Sequence, residues 1–132
     1  MIGNSFTTTE TLVWMIGKAT ANAHRTGKQA AVLFVTIEGL DEWPDAEWLT
    51  SERLINDVRG ADSAAQLDSW EYAVLCDSLA YSSDAETIAR RLVDTLQLPI
   101  EVCAGTLATG NVRVGLTPLG LPDAQTYLRH GI

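Results

Sequence analysis

Ala30 to Ile37 is a nearly unbroken apolar run rich in Val, Ile and Phe. Such a run fits a strand covered on both faces, so it predicts a central strand. Ahead of it, Leu12, Ile16, Ala19 and Ala23 recur at helical spacing behind Thr7-Thr8-Thr9-Glu10, which has the form of a capping box. A helix over 7–27 is expected, with Gly27 closing it. After the strand, Glu38-Gly39-Leu40-Asp41-Glu42-Trp43-Pro44-Asp45 breaks the pattern with glycine, proline and acids. Ala46 to Val58 then returns to helical character, with Trp48, Ile55 and Val58 on one side.

Further along, Ala64, Ala65 and Leu67 lead into Asp68-Ser69, and Tyr72 to Cys76 runs back as an apolar, β-prone segment. The segment is a hairpin whose tip carries Asp68, Ser69, Trp70 and Glu71. Ser83-Asp84-Ala85-Glu86 forms a second capping box before Ile88, Ala89, Leu92, Val93 and Leu96. Leu98-Pro99 ends that helix, because a residue before proline is pushed out of helical dihedrals. Ile100–Leu107 and Val112–Thr117 read as two strands around Thr109-Gly110-Asn111, and Pro122-Asp123 opens a short last helix through Leu128. The order α-β-α-β-β-α-β-β-α predicts an α+β domain, a single mainly antiparallel sheet flanked by helices.

Composition narrows the functional classes. With 132 residues and 46% hydrophobic content, one domain over 1–132 is expected, its core spanning 30–128. Seventeen acids against nine bases give a net charge of −8, which repels DNA and RNA. The longest apolar run is far short of the roughly 20 residues a membrane span needs, and no signal peptide opens the chain, so the expected location is cytoplasmic. Cys76 and Cys103 lie in apolar, strand-like surroundings without metal or redox spacing, so both are expected as buried free thiols. His24 and His130 have no nucleophile or ligand spacing beside them, and there is no P-loop or dinucleotide fingerprint.

The hairpin carries a resemblance. Arg59-Gly60-Ala61-Asp62, then five residues, then Asp68-Ser69-Trp70-Glu71-Tyr72 and an apolar strand, resembles the signature hairpin of GGDEF domains, the diguanylate cyclase family. The likeness extends in order over about Arg25 to Leu128. His24 to Lys28 and the strand Ala31–Ile37 resemble the family's basic turn and first strand, and Arg113 to Thr117 its Ser-Ile-Gly-Ile-Ala strand. The resemblance implies a nucleotidyl-cyclase-like sheet with a ferredoxin-like core. It also implies how this chain departs from active members. The glycine pair that lets phosphates approach the backbone is Asp68-Ser69 here, and the acid at the third turn position is Trp70. The former metal positions read Thr36 and Glu38, and the guanine-pocket elements between the first strand and Arg59 are missing.

The resemblance therefore implies a degenerate, catalytically inactive GGDEF-like domain, with no catalytic residues, no metal and no cofactor. Glu38 and Glu71 are the acids that remain for a residual metal site and weak GTP turnover. Arg59 and Asp62 match the family's RxxD site for cyclic di-GMP, the candidate ligand. Arg offers a planar fork of donors to phosphate and Asp accepts from guanine nitrogens. The same two residues also fit a structural use, Arg59 ending a helix and Asp62 starting a strand. Trp70 either folds onto its neighbouring helix or joins Trp43, Trp48 and Tyr72 in a partner-binding patch. The expected partners are another protein or a second copy of the chain.

Overall fold

The computed structural model describes residues 5–119. Helix α1 (Thr9–Thr26) precedes strand β1 (Gln29–Glu38), helix α2 (Ala46–Asp57), the hairpin β2 (Ser63–Asp68) and β3 (Glu71–Leu79), and helix α3 (Ser83–Leu96). Strands β4 (Ile100–Cys103), β5 (Thr106–Ala108) and β6 (Asn111–Leu119) follow. The main sheet runs β2-β3-β1-β6 with every pairing antiparallel, and β4-β5 form a separate ribbon. The last helix expected over Pro122–Leu128 lies outside the described residues. Among the described residues, no helix is long and apolar enough to cross a membrane.

Alternation along β1 builds two cores, one on each side of the sheet. Ala31, Leu33, Val35 and Ile37 pack with Leu54, Ile55, Ile88, Leu92 and Leu96 under α2 and α3. Ala30 and Val32 pack with Leu12, Ala19, Ala73 and Leu75 under α1. The second cover stops short of the strand's end, because Phe34 is 46% exposed. Two-sided burial thus holds for the first part of the predicted central strand.

Several local expectations change. Thr8, rather than Thr7, caps α1 by accepting the Thr11 N–H, so Glu10 adds favourable charge at the positive helix end instead of closing a capping box. Ser82 caps α3 without a side-chain bond, while Asp84 accepts the Tyr81 N–H at 2.9 Å. On α2 the buried stripe is Ala46, Thr50, Leu54 and Ile55, and Trp48 stands out from its flank at 65% exposure. The predicted strand Ile100–Leu107 is two strands, reversed at Ala104-Gly105. Gly105 has φ +76°, a left-handed conformation that glycine adopts without a Cβ clash. Its ribbon stands off the main sheet, so Cys103 is exposed, not buried as predicted. Gly110 is needed for a different reason, since a Cβ there would come within 2.9 Å of Ile37 and Leu40.

Cys76 does lie in the core, where burial foremost pushes its thiol up to about 12. A raised folded-state pKa stabilises the fold fully below the unfolded thiol's value, and that contribution drains away as pH rises toward the folded value. Stability should therefore decline from about pH 9 toward about pH 12 in alkaline denaturation, and a Cys76→Ala variant should decline less. At neutral pH a thiol reagent should label Cys103 at once and Cys76 only after urea unfolding.

Candidate functional site

The register of the sheet brings three chain segments to one corner. Thr36 on β1 lies opposite both Glu71 on β3 and Arg113 on β6, and Glu38 lies opposite Asn111. The hairpin tip closes the corner with Ser69 and Trp70 between the paired Asp68 and Glu71. Asp68 Oδ1 accepts the Ser69 N–H at 2.8 Å, and the Trp70 carbonyl accepts the Ile37 N–H at 3.0 Å. Trp70 holds φ +62°, unusual for a bulky residue, while its half-buried indole packs against the larger core. Asp68 and Ser69 are exposed, so anything approaching the tip meets their side chains and the Asp68 charge before the backbone.

Tyr72, the last residue of the turn signature, is a core residue. It is fully buried, its hydroxyl shares a 2.6 Å hydrogen bond with Ser51 Oγ, and its ring stacks on Phe6 at 5.8 Å between centroids. Burial raises its pKa against the opposing effect of the Ser51 bond. Tyr72 therefore takes no part in an exposed aromatic patch. The segment before α1 is drawn in with it, as the Thr7 N–H donates to the Ala64 carbonyl at 2.8 Å.

The acids at this corner fit a divalent cation poorly. Magnesium takes near-octahedral oxygen ligands, usually with one or two protein carboxylates. Here Thr36 is uncharged, and Glu38 is engaged by the guanidinium of Arg113 on the strand away from the hairpin. Glu71 and the tip residue Asp68 remain without an ion pair to another described residue, and Arg113 lies two strands away from Glu71. No group of three His, Cys, Asp or Glu side chains positioned to hold a metal occurs among the described residues.

Arg59 and Asp62 sit at the far end of the hairpin, about 20 Å along the strands from its tip. Arg59 Nε and Nη2 each donate to Asp62 at 2.6 Å, a bidentate pair. The Asp62 side chain is 1% exposed and that of Arg59 35%. A β-bulge explains what the pair does. The β1–β3 register shifts between Gln29 and Ala31, which leaves Asp77 and Ser78 outside the ladder and Ser78 at φ +52°. Asp62 Oδ1 accepts the freed Asp77 N–H at 3.2 Å, and Arg59 Nη2 donates to the Asp77 carbonyl at 3.3 Å. The pair thus satisfies both backbone groups of Asp77, while the Ser78 N–H donates to Asp77 Oδ1 at 2.7 Å. The bond to Asp62 raises the Arg59 pKa against the lowering effect of burial, keeping the guanidinium charged.

The tryptophans do not form one cluster. Trp43 and Trp70 are half-buried against the larger core, and Trp48 faces outward on α2. Sequence reasoning missed Asp77, Arg113, Ser51 and Phe6. In the β2–β3 register Asp62 falls opposite Cys76, one residue short of Asp77, so counting back from the hairpin tip finds Asp77 only if the register shift between Gln66 and Asp68 is ignored. The pairings of Arg113 and Phe6 depend on strand order, which no local pattern carries.

Comparison with known proteins gives a consistent set. No protein-family model matches the chain. Diguanylate cyclase TpbB of Pseudomonas aeruginosa is 30% identical over 105 residues, covering 73% of this chain and 24% of that protein. The chain thus spans about a quarter of its curated relative. The crystal structure of the TpbB GGDEF domain superposes with a TM-score of 0.78 at 24% identity, covering 93% of this chain and 84% of that one. A sensory box/GGDEF family protein from Caulobacter crescentus gives 0.78 at 19% identity, with 96% and 88% covered. The GGDEF domain of DgcB from Caulobacter crescentus, solved in complex with c-di-GMP, gives 0.75 at 12% identity, with 96% and 81% covered.

The bulge clasp yields a stability prediction. Arg59→Ala leaves the buried Asp62 carboxylate without its charged donor and should cost about 1–3 kcal/mol in urea unfolding. Removing both side chains in Arg59→Ala/Asp62→Ala should cost less than the sum of the two single changes, the mark of coupled residues.

Proposed function

Taking this chain as a GGDEF domain of the diguanylate cyclase-like family, we propose that it is a non-catalytic signalling module that works through protein contacts. One observation carries the reading: at the corner where β1 meets the hairpin tip, β1 offers no free carboxylate, Thr36 being neutral and Glu38 ion-paired to Arg113. Phosphoryl transfer between nucleotides needs metal ions that bridge phosphate oxygens and neutralise developing charge, held by carboxylates that the protein positions. Here β1 supplies none that is free. The Cβ atoms of Asp68 and Ser69 and the Asp68 charge stand where a triphosphate would approach the turn. A protein that does not turn over nucleotide acts by what it touches, and Trp48 offers an exposed anchor of the kind that dominates interfaces.

A second reading is favoured by the outward edge of Arg59. Its Nη1 is engaged by none of the described residues, and a third of the side chain is exposed. Cyclic di-GMP held there would rest on Arg59 alone, because both Asp62 oxygens are already in use.

Two measurements test these readings. Purified protein with magnesium or manganese and GTP should form no cyclic di-GMP, whereas metal-dependent product that Glu71→Gln abolishes would overturn the non-catalytic reading. In titration calorimetry with cyclic di-GMP, a real contact to Arg59 should weaken about tenfold or more in a folded Arg59→Ala variant. Absence of heat at high micromolar ligand removes the receptor reading.

A further inference from the structure

Charge is unevenly divided along this acidic chain. Between Glu10 and Glu38 there is no carboxylate, yet the segment holds Lys18, Arg25 and Lys28. Between Asp41 and Glu52 there are five acids and no cation. The fold converts this linear separation into a spatial one, because α1 covers one face of the sheet and α2 belongs to the layer on the other.

Each helix adds an exposed tryptophan to its charge. Trp14 on α1 is 62% exposed, with Lys18 Nζ 4.6 Å from its ring centroid one turn along. Trp14, Lys18 and Arg25 are spaced by four and seven residues, so they share one helical face. Two hollows of about 490 and 170 Å³ adjoin this face, meeting at Lys18 and Asp77. Asn22 and Arg25 line the larger, and Trp14, Met15 and Leu75 the smaller. On α2, Trp48 is 65% exposed and is flanked at three residues before and four after by the exposed Asp45 and Glu52. One helix thus presents Trp-Lys-Arg beside a groove, and the other presents Asp-Trp-Glu on a ridge.

We propose that the domain self-associates head to tail, the α2 ridge of one copy seating Trp48 in the groove beside α1 of the next. This rests on the reading of the domain as a contact module. Asp45 and Glu52 of one copy would face Lys18 and Arg25 of the other, and the Trp48 indole would meet the Lys18 ammonium. Asp77 contributes one carboxylate to the groove, against the cations of Lys18 and Arg25. Because the two patches lie on opposite faces of one sheet, the contact is heterologous and leaves a free patch at each end. It builds open chains of copies unless the rotation between neighbours closes a ring.

The test is sedimentation velocity over a range of concentrations, with Trp14→Ser and Trp48→Ser variants whose folding is checked by circular dichroism. Both side chains are largely exposed, so both variants should fold. Wild-type protein should grow past a dimer with concentration at low salt, and association should weaken at least tenfold at about 1 M salt, where screening is nearly complete. Each variant alone should lose association about thirtyfold or more. Mixed, the two should form a 1:1 heterodimer that grows no further, since each supplies the patch the other lacks. A monomeric wild type, association by either variant alone, or a mixture that stays monomeric would overturn the proposal. None of these outcomes bears on GTP turnover, which tests the non-catalytic reading separately.

Discussion

Two-sided burial of the first part of β1 is the constraint on which the rest of the domain depends. A strand whose alternate residues are all apolar satisfies its hydrogen bonds only between two neighbours, and its side chains only between two layers. β3 and β6 supply the neighbours. α1 supplies one layer, and α2 with α3 the other. Once those positions are set, the hairpin tip and the start of β6 must arrive at the same end of β1. The corner of Thr36, Glu38, Glu71 and Arg113 is a consequence of sheet register before it is a site.

That corner shows how strand register gathers side chains from three segments at one point whatever their chemistry. The backbone still brings the first strand to the turn, with Trp70 bonded to Ile37. The side chains that β1 places there are a threonine and an ion-paired glutamate, a poor set for holding cations. At the other end of the hairpin, Arg59 and Asp62 repair a bulge by taking up both backbone groups of Asp77. Two residues that read as a ligand motif thus have a structural reason to be present, while the outer edge of Arg59 stays open to solvent.

The sheet also acts as a divider of charge. An acidic chain of this size repels its own copies unless opposite charges are gathered somewhere. Here the cations of α1 and the acids before and within α2 are gathered on opposite sides. Trp14 and Trp48 add apolar anchors at the same two places.

By itself the sequence determined the elements and their class. The apolar run from Ala30, the helical spacing before and after it, and the hairpin around Asp68-Ser69 are local patterns, and local periodicity reports secondary structure directly. It also determined which residue types were available for chemistry, the turn Asp68 to Tyr72 and the pair Arg59 and Asp62 among them. Only the tertiary structure decided what those residues do. Burial of Tyr72 against Ser51 and Phe6, capture of Glu38 by Arg113, the outward turn of Trp48 and the exposure of Cys103 all depend on neighbours distant in sequence. So does the bulge that engages Arg59, since it arises from the register of β3 against β1. Contacts across a sheet are fixed by strand order and register, which no short stretch of chain encodes alone.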